Sequence, residues 1–211
     1  MTMLNTRRGF LLSGGALLLL SGCGDLVGPP PASQLYVLAP SKTPVAAGPK
    51  VTWSLSLQTP IAPDSLDGNR LPLTRGATMD YYANAELPQR LPRLIQTSLM
   101  ESFESSQRID QLSRSEEGLR SDYVLQTDIR NCEAQYDSQN AAPKILVRIA
   151  AKMVNTFDRR IVANLLAEQQ VAATEDSIPA VISAMNQAIG STVSLIANWA
   201  LAQPAPAVTR P

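Results

Sequence analysis

Alternating apolar and polar positions run through the second half of the chain and predict its longest strands. From Asp122 to Tyr136, Tyr123, Leu125, Thr127 and Ile129 share one face while Val124, Gln126, Asp128 and Arg130 share the other. Lys144 to Phe157 alternates too, with Ile145, Val147, Ile149, Ala151 and Met153 facing one way. Asp158-Arg159 then makes a tight connection into a third segment, Ile161 to Ala173. Three such segments in succession predict an antiparallel meander with one covered face. Earlier strands are expected at Leu35–Leu38, at Val51–Leu57 with Val51, Trp53, Leu55 and Leu57 on one side, and at Thr78–Tyr82. Between them, Pro60 to Gly76 reads as a loop, because Pro63, Asp64, Asp67, Gly68 and Pro72 are turn formers.

Two stretches switch to helical spacing. Pro88 and Pro92 are tolerable only in a first turn, so a helix starts near Leu91. It buries Leu91, Leu94, Ile95, Leu99 and Phe103, and Gln96, Glu101 and Glu104 are expected to point away. Asp176-Ser177 caps a second helix and Pro179 fits its first turn. Its apolar stripe is Ile182, Met185, Ile189, Val193, Ile196 and Trp199. The opposite face carries Ser183, Asn186, Gln187, Ser191, Ser194 and Asn198, and no charged residue occurs from Ser177 to Thr209. A solvated helix of that length normally carries several charges. Two readings fit: a neutral wet face, or a face covered by a partner or a second copy of the chain, since interface cores are depleted of charge. On the second reading the contact residues are Asn186, Gln187, Ser191, Ser194 and Asn198. The fold class expected from these elements is α+β: two layers, a largely antiparallel sheet with two helices packed on one face.

The N-terminus follows a different pattern. Arg7 and Arg8 precede an apolar run from Phe10 to Leu20 that closes on Ser21, Gly22 and Cys23. That order is a secretory signal, too short to span a bilayer, which takes roughly 20 apolar residues. A cysteine after Leu20-Ser21-Gly22 is the bacterial lipobox, so Cys23 is the expected lipidation site and mature N-terminus. Thr6-Arg7-Arg8-Gly9-Phe10-Leu11 matches the twin-arginine pattern, but Leu12 replaces the usual lysine. An ordinary export signal explains the arginines equally well, and both routes stay open. Pro29-Pro30-Pro31 favours extended polyproline geometry and gives a semi-rigid spacer. Gly24 after the cysteine, rather than aspartate, favours the outer membrane over the inner by the general sorting rule. The boundaries are therefore signal peptide 1–22, lipidated tether 23–34, one domain 35–202, and a disordered tail 203–211.

Removing Arg7 and Arg8 from 18 basic residues leaves 16 against 18 acidic ones. A near-neutral chain without a Lys/Arg cluster lacks the electrostatic footprint of a nucleic-acid binder. With Cys23 acylated, Cys132 has no intramolecular disulfide partner, and it is expected as a small buried apolar residue, with a reactive or intermolecular thiol as the alternative. Histidine is absent, which removes Ser-His-Asp and Cys-His catalysis and the commonest metal ligand. No phosphate-binding glycine motif and no metal-ligand spacing occur, so no cofactor and no metal are expected. The carboxylate pairs Glu101/Glu104 and Glu116/Glu117 read as solvated surface, and no catalytic residue is expected.

From Tyr81 onward the chain resembles the ABC-type transport auxiliary lipoproteins, also called PqiC-like. The likeness rests on Tyr81-Tyr82-Ala83-Asn84-Ala85, Leu91-Pro92-Arg93-Leu94-Ile95-Gln96, Glu101 to Ser106 and Gly118 to Leu125, with Leu66-Asp67 and Arg70 in the preceding loop. Leu87 stands where the family has a tryptophan, and Cys132 where it has a large aromatic. The resemblance implies a periplasm-facing lipoprotein without catalytic residues, working beside an ABC ATPase, a permease and an MCE-domain protein in moving lipids between two membranes. The role it implies is to dock or anchor that assembly. The rivals are a lipid-binding carrier, for which a large apolar cavity between sheet and helices is the signature, an envelope-assembly lipoprotein unrelated to transport, and, third, a hydrolase.

Overall fold

The protein is described from a computed structural model over residues 33–40, 42–138 and 141–206. Its elements are β1 (Gln34–Leu35), β2 (Leu55–Leu57), β3 (Arg70–Arg75), β4 (Thr78–Glu86), α1 (Leu91–Ser106), β5 (Leu112–Arg114), a 3₁₀ turn (Ser115–Glu117), β6 (Tyr123–Tyr136), β7 (Lys144–Asn155), β8 (Ile161–Ala172) and α2 (Ile178–Leu201). β6 is the hub. One edge pairs antiparallel with β7, which pairs antiparallel with β8. The other edge is shared: β2 runs parallel to its first residues (Leu55 opposite Tyr123) and β3 parallel to its last (Leu73 opposite Ala134). Beyond these, β5 flanks β2, and β4 and then β1 flank β3. The long pairs are antiparallel and the parallel ones short, so the eight-stranded sheet is mostly antiparallel, as its alternation predicts. With two helices it makes the α+β fold.

One core joins the layers. Ile145, Val147, Ile149 and Met153 on β7 are fully buried, as are Val181, Met185, Ile189 and Ile196 on α2 and Ile95 and Phe103 on α1. Trp53 meets Tyr123 edge-on, with ring centroids 5.3 Å apart. α2 is long and apolar enough to cross a membrane by length and composition, but most of that apolar stretch is buried inside this fold. Its buried face is broader than the expected stripe: Ala184, Ala188, Thr192, Ala197 and Ala200 are buried, while Ile182 and Trp199 are only half-buried. Small residues allow the helix backbone close to the sheet, which turns the contact line away from the largest side chains.

Several local expectations change for identifiable reasons. β6 does not keep one phase. Its register shifts between Ile129 and Asn131, where a bulge places two residues opposite Arg148. Before the bulge the core takes Tyr123, Leu125, Thr127 and Ile129; after it, Cys132, Ala134 and Tyr136. β3 lies within the predicted loop. Pro72 has no N–H to donate and marked that stretch as a turn, but it sits at a second register shift, where a strand tolerates it, and Leu71 and Leu73 are buried on either side. The predicted strand Val51–Leu57 shrinks to β2 because the Asp122 carboxylate accepts from both the N–H and the hydroxyl of Ser54, each at 2.8 Å. Ser54 and Ser56 are buried with it. Leu35–Leu38 shortens to β1, leaving Leu35 and Val37 exposed.

Gln96 does not point away; it is fully buried. Its Nε2 donates to Leu57 O (3.1 Å) and to the Glu116 carboxylate (3.2 Å), and its Oε1 accepts from Arg114 Nη1 (2.7 Å). Glu116 also accepts from the Thr59 hydroxyl, and that bond is the main reason its carboxyl lies below the usual range. Glu116 is thus a bonded surface carboxylate tying the 3₁₀ turn to β2 and α1, where a freely solvated one is expected. α2 begins as expected, with the Ser177 hydroxyl accepting from Ala180 N, and ends at Leu201. Within the expected tail, Pro204 O accepts from the Tyr123 hydroxyl (3.0 Å); residues 207–211 lie outside the described residues.

Candidate functional site

The charge-free face of α2 divides in two. Toward its C-terminal end the chain covers the face itself. The Ser194 hydroxyl is buried and donates to Pro44 O (3.2 Å), and Asn198 Oδ1 accepts from Ala46 N (2.7 Å). An extended strap from Thr43 to Lys50 therefore lies across this part of the helix. Arg108, just past α1, pins the strap: its guanidinium donates to Ala46 O, Pro49 O and Leu201 O, each at 3.2 Å. The last bond supplies a cation and a donor to the C-terminal end of α2, where unpaired carbonyls gather. Gly48 makes room, since a Cβ there would stand 2.8 Å from Arg108 Cζ. Toward the N-terminal end the face stays open: Gln187 is exposed and Asn186 and Ser191 are half-buried. Asn186 Oδ1 is itself shielded and has no hydrogen-bond partner. Of the five residues read as contacts, the fold commits Ser194 and Asn198 to the strap and leaves Asn186, Gln187 and Ser191 uncovered by it. The strap carries no periodicity and is mostly Pro, Ala and Gly, which is why it reads as a loop.

Part of the family resemblance, Leu66-Asp67, Arg70, Tyr81 and the segment from Leu91, gathers around the start of α1. Arg90 offers no side-chain cap, and Gly68 O instead accepts from Leu91 N (2.9 Å). The loop supplying that carbonyl is held by an Asp67–Arg90 ion pair at 2.7 Å, by Leu87 N donating to Asn69 O, and by buried Leu66. Arg70 lies 3.6 Å over the Tyr81 ring, whose hydroxyl donates to Ser65 O. Leu87, in the family's tryptophan position, is fully buried. These residues position a helix and present no reacting group.

A second cluster links three elements. The hydroxyls of Tyr82 and Tyr136 are 2.8 Å apart, and Tyr136 donates to Asp176 (2.5 Å) just before α2. Burial, first among the causes, pushes both phenols upward, and burial does the same for Tyr123. Cys132 is fully buried beside the Glu133 carboxylate; burial and then that charge push its thiol from its ordinary value near 9 up to about 12. It is packed and inert rather than nucleophilic. All four groups keep a proton in the folded chain that the unfolded chain releases earlier. Stability should therefore be flat to about pH 9 and fall above it, by about 1.4 kcal/mol per pH unit through Cys132 alone. Thermal midpoints measured from pH 7 to 11 test this, with Cys132→Ala moving the onset to near pH 10, where the tyrosines begin. A midpoint constant to pH 11 would refute it.

Two surface depressions lie among the described residues. A groove of about 250 Å³ between the helices is lined by Lys42, Ser98, Glu101, Glu104 and Gly190. Another, of about 420 Å³, lies beside the β6 bulge among Ile61, Pro63, Asp128 and Arg130. Both are open and carry charged side chains, and neither lies between sheet and helices. Among the described residues no three cysteine, aspartate or glutamate side chains gather as a metal cluster. Arg7, Arg8, Phe10, Leu20, Ser21, Gly22, Cys23 and the proline spacer lie outside the described residues.

Comparison with known proteins matches this architecture. A crystal structure of a Xanthomonas campestris protein superposes with a TM-score of 0.75 at 26% identity, covering 80% of this chain and 95% of that one. A crystal structure of an uncharacterized protein shares the fold at a TM-score of 0.62 and 13% identity, over 80% and 99% of the two chains. No curated protein matches the sequence. The sequence model of one family matches residues 35–197, a span that holds the strap, nearly all of the sheet and most of α2, and the chain is a member of the ABC-type transport auxiliary lipoprotein component family.

Proposed function

We propose that the chain is a non-enzymatic, periplasm-facing lipoprotein, anchored through Cys23 to a membrane, the outer one by the residue after the cysteine. There it docks an ABC transporter's MCE-type lipid conduit. The observation that carries this reading is the family match over residues 35–197. The packed core supports scaffolding over carrying: a carrier needs an apolar cavity able to shield an acyl chain, and the side chains between sheet and helices are instead buried against one another. The partner surface in this reading is the uncovered part of α2, around Asn186, Gln187 and Ser191. An uncharged helical surface with Gln187 exposed on it suits a protein contact, since interface cores are depleted of charge.

A photoreactive residue in place of Gln187, activated in intact membranes, tests the surface. The expected product is a crosslink to an MCE-domain protein, lost when the same group replaces Glu101 on α1. Crosslinks to a second copy alone would make this face a self-association surface, and none at all would mean it is merely wet.

A further inference from the structure

The turn joining β7 and β8 and the loop entering β6 form one projecting tip. Thr156 N donates to Asp122 O (3.0 Å) and its hydroxyl to Ser121 O (2.5 Å), so the two loops lie side by side. The loops and the first two residues of β8 hold four of the ten large apolar side chains that stand exposed in the described residues: Leu119 (64%) and Phe157 (67%) in the loops, Ile161 (54%) and Val162 (45%) opening β8. Arg120, Arg159 and Arg160 are exposed among them. Of the acids nearby, Asp122 accepts from the N–H and hydroxyl of Ser54, Asp158 Oδ1 accepts from Arg160 N with its other oxygen 3.9 Å from Arg160 Nε, and Glu117 is exposed at the start of the loop. Arg159 makes no ion pair among the described residues and sits at φ 57°, a left-handed conformation that favours glycine or asparagine. Folding alone gives no reason for an arginine there.

We propose that this tip is a membrane contact distinct from the lipid anchor, in which Leu119 and Phe157 enter the headgroup region of an anionic phospholipid bilayer and Arg120, Arg159 and Arg160 bind its phosphates. Apolar side chains ringed by arginines match the layered chemistry of such a surface, apolar below and negative above. Two short loops are small for a protein partner, since a stable interface buries about 800 Å² on each side. A lipid surface needs no shape complementarity, and tethering would let a weak contact persist by raising its effective concentration.

The full chain with Phe157→Trp, reconstituted into vesicles of phosphatidylcholine with or without phosphatidylglycerol, reports the contact through quenching by bromine-labelled acyl chains. Trp53 is buried and Trp199 half-buried, so the unmodified chain sets the background. Quenching above that background is expected in anionic vesicles and absent when the new tryptophan is at exposed Leu195. Arg159→Gln and Arg160→Gln should each lower the inserted fraction about fivefold. Arg159→Gly should raise the thermal midpoint while still weakening insertion, which separates lipid contact from folding. No added quenching while the chain still floats with the vesicles would overturn the tip contact and leave the anchor standing. A change that depends on protein concentration and ignores lipid charge would assign the tip to a second copy or another protein, and would also overturn the proposal.

Discussion

Cys23→Ala is expected to leave the domain folded, free it from the membrane and abolish transport. The buried core runs from Leu38 to Leu201, so the substitution touches none of it. The thermal midpoint and circular dichroism should match the parent chain. Membrane residence is a different matter: each buried methylene of an acyl chain contributes about 0.8 kcal/mol, and no tip contact of two loops replaces that. On the proposed anchoring, Pro29-Pro30-Pro31 would add about 3.1 Å of reach per residue if extended, and so set the distance between lipid and domain. Fractionation and a transport assay with the soluble variant decide the point. Full transport by the soluble form would make the tether incidental and defeat the docking reading.

Deleting one residue from β6 should have opposite consequences at two nearby sites. Loss of Gln126 shifts Tyr123 and Leu125 to the solvent face and brings Val124 and Asp122 inward, because strand side chains alternate with period two. Burial of Tyr123 and Leu125 contributes about 2–3 kcal/mol each, and an inward aspartate adds several more against folding. That approaches the whole of an ordinary domain's 5–15 kcal/mol, so this variant should not fold. Loss of Asn131 removes the extra residue of the bulge. Arg130 then stands alone opposite Arg148, and Cys132 still meets Val147 on the core side. The cost is the lost twist and the Asn131 Nδ2 bond to Glu133 (2.8 Å), about 1–3 kcal/mol. Urea unfolding of both variants checks the contrast, and equal damage from the two would mean that the bulge is not where the phase changes.

Those two deletions also show where pattern reading succeeds and where it stops. Tyr123 to Ile129 and Ile145 to Met153 announce themselves because each buried side chain is two positions from the next. Beyond Arg130 the same rule points to the wrong face, since a bulge is a backbone event that no single residue type declares. Gln96 failed for a related reason. A polar residue on a helix defaults to solvent, and only the approach of Leu57 O, Arg114 and Glu116 from three other segments makes its burial tolerable.

The candidate surface divides along the same line. The missing charges on α2 were visible as composition, and they left a wet face and a covered face both open. Composition could not say what lies on it. Pro44 and Ala46 come from about 150 residues earlier in the chain, and Arg108 holds their segment through carbonyls that no side-chain pattern encodes. The targeting reading, by contrast, uses short-range order alone: charge, apolar run, small residues and cysteine follow one another within 23 positions, so the proposed anchor needs no fold to be read. Strand and helix identity were nearly as local, because each buries one face at a fixed period. Which face is left for a partner, and which loops meet at the β7–β8 tip, depend on contacts between distant segments, and those exist only once the chain has folded.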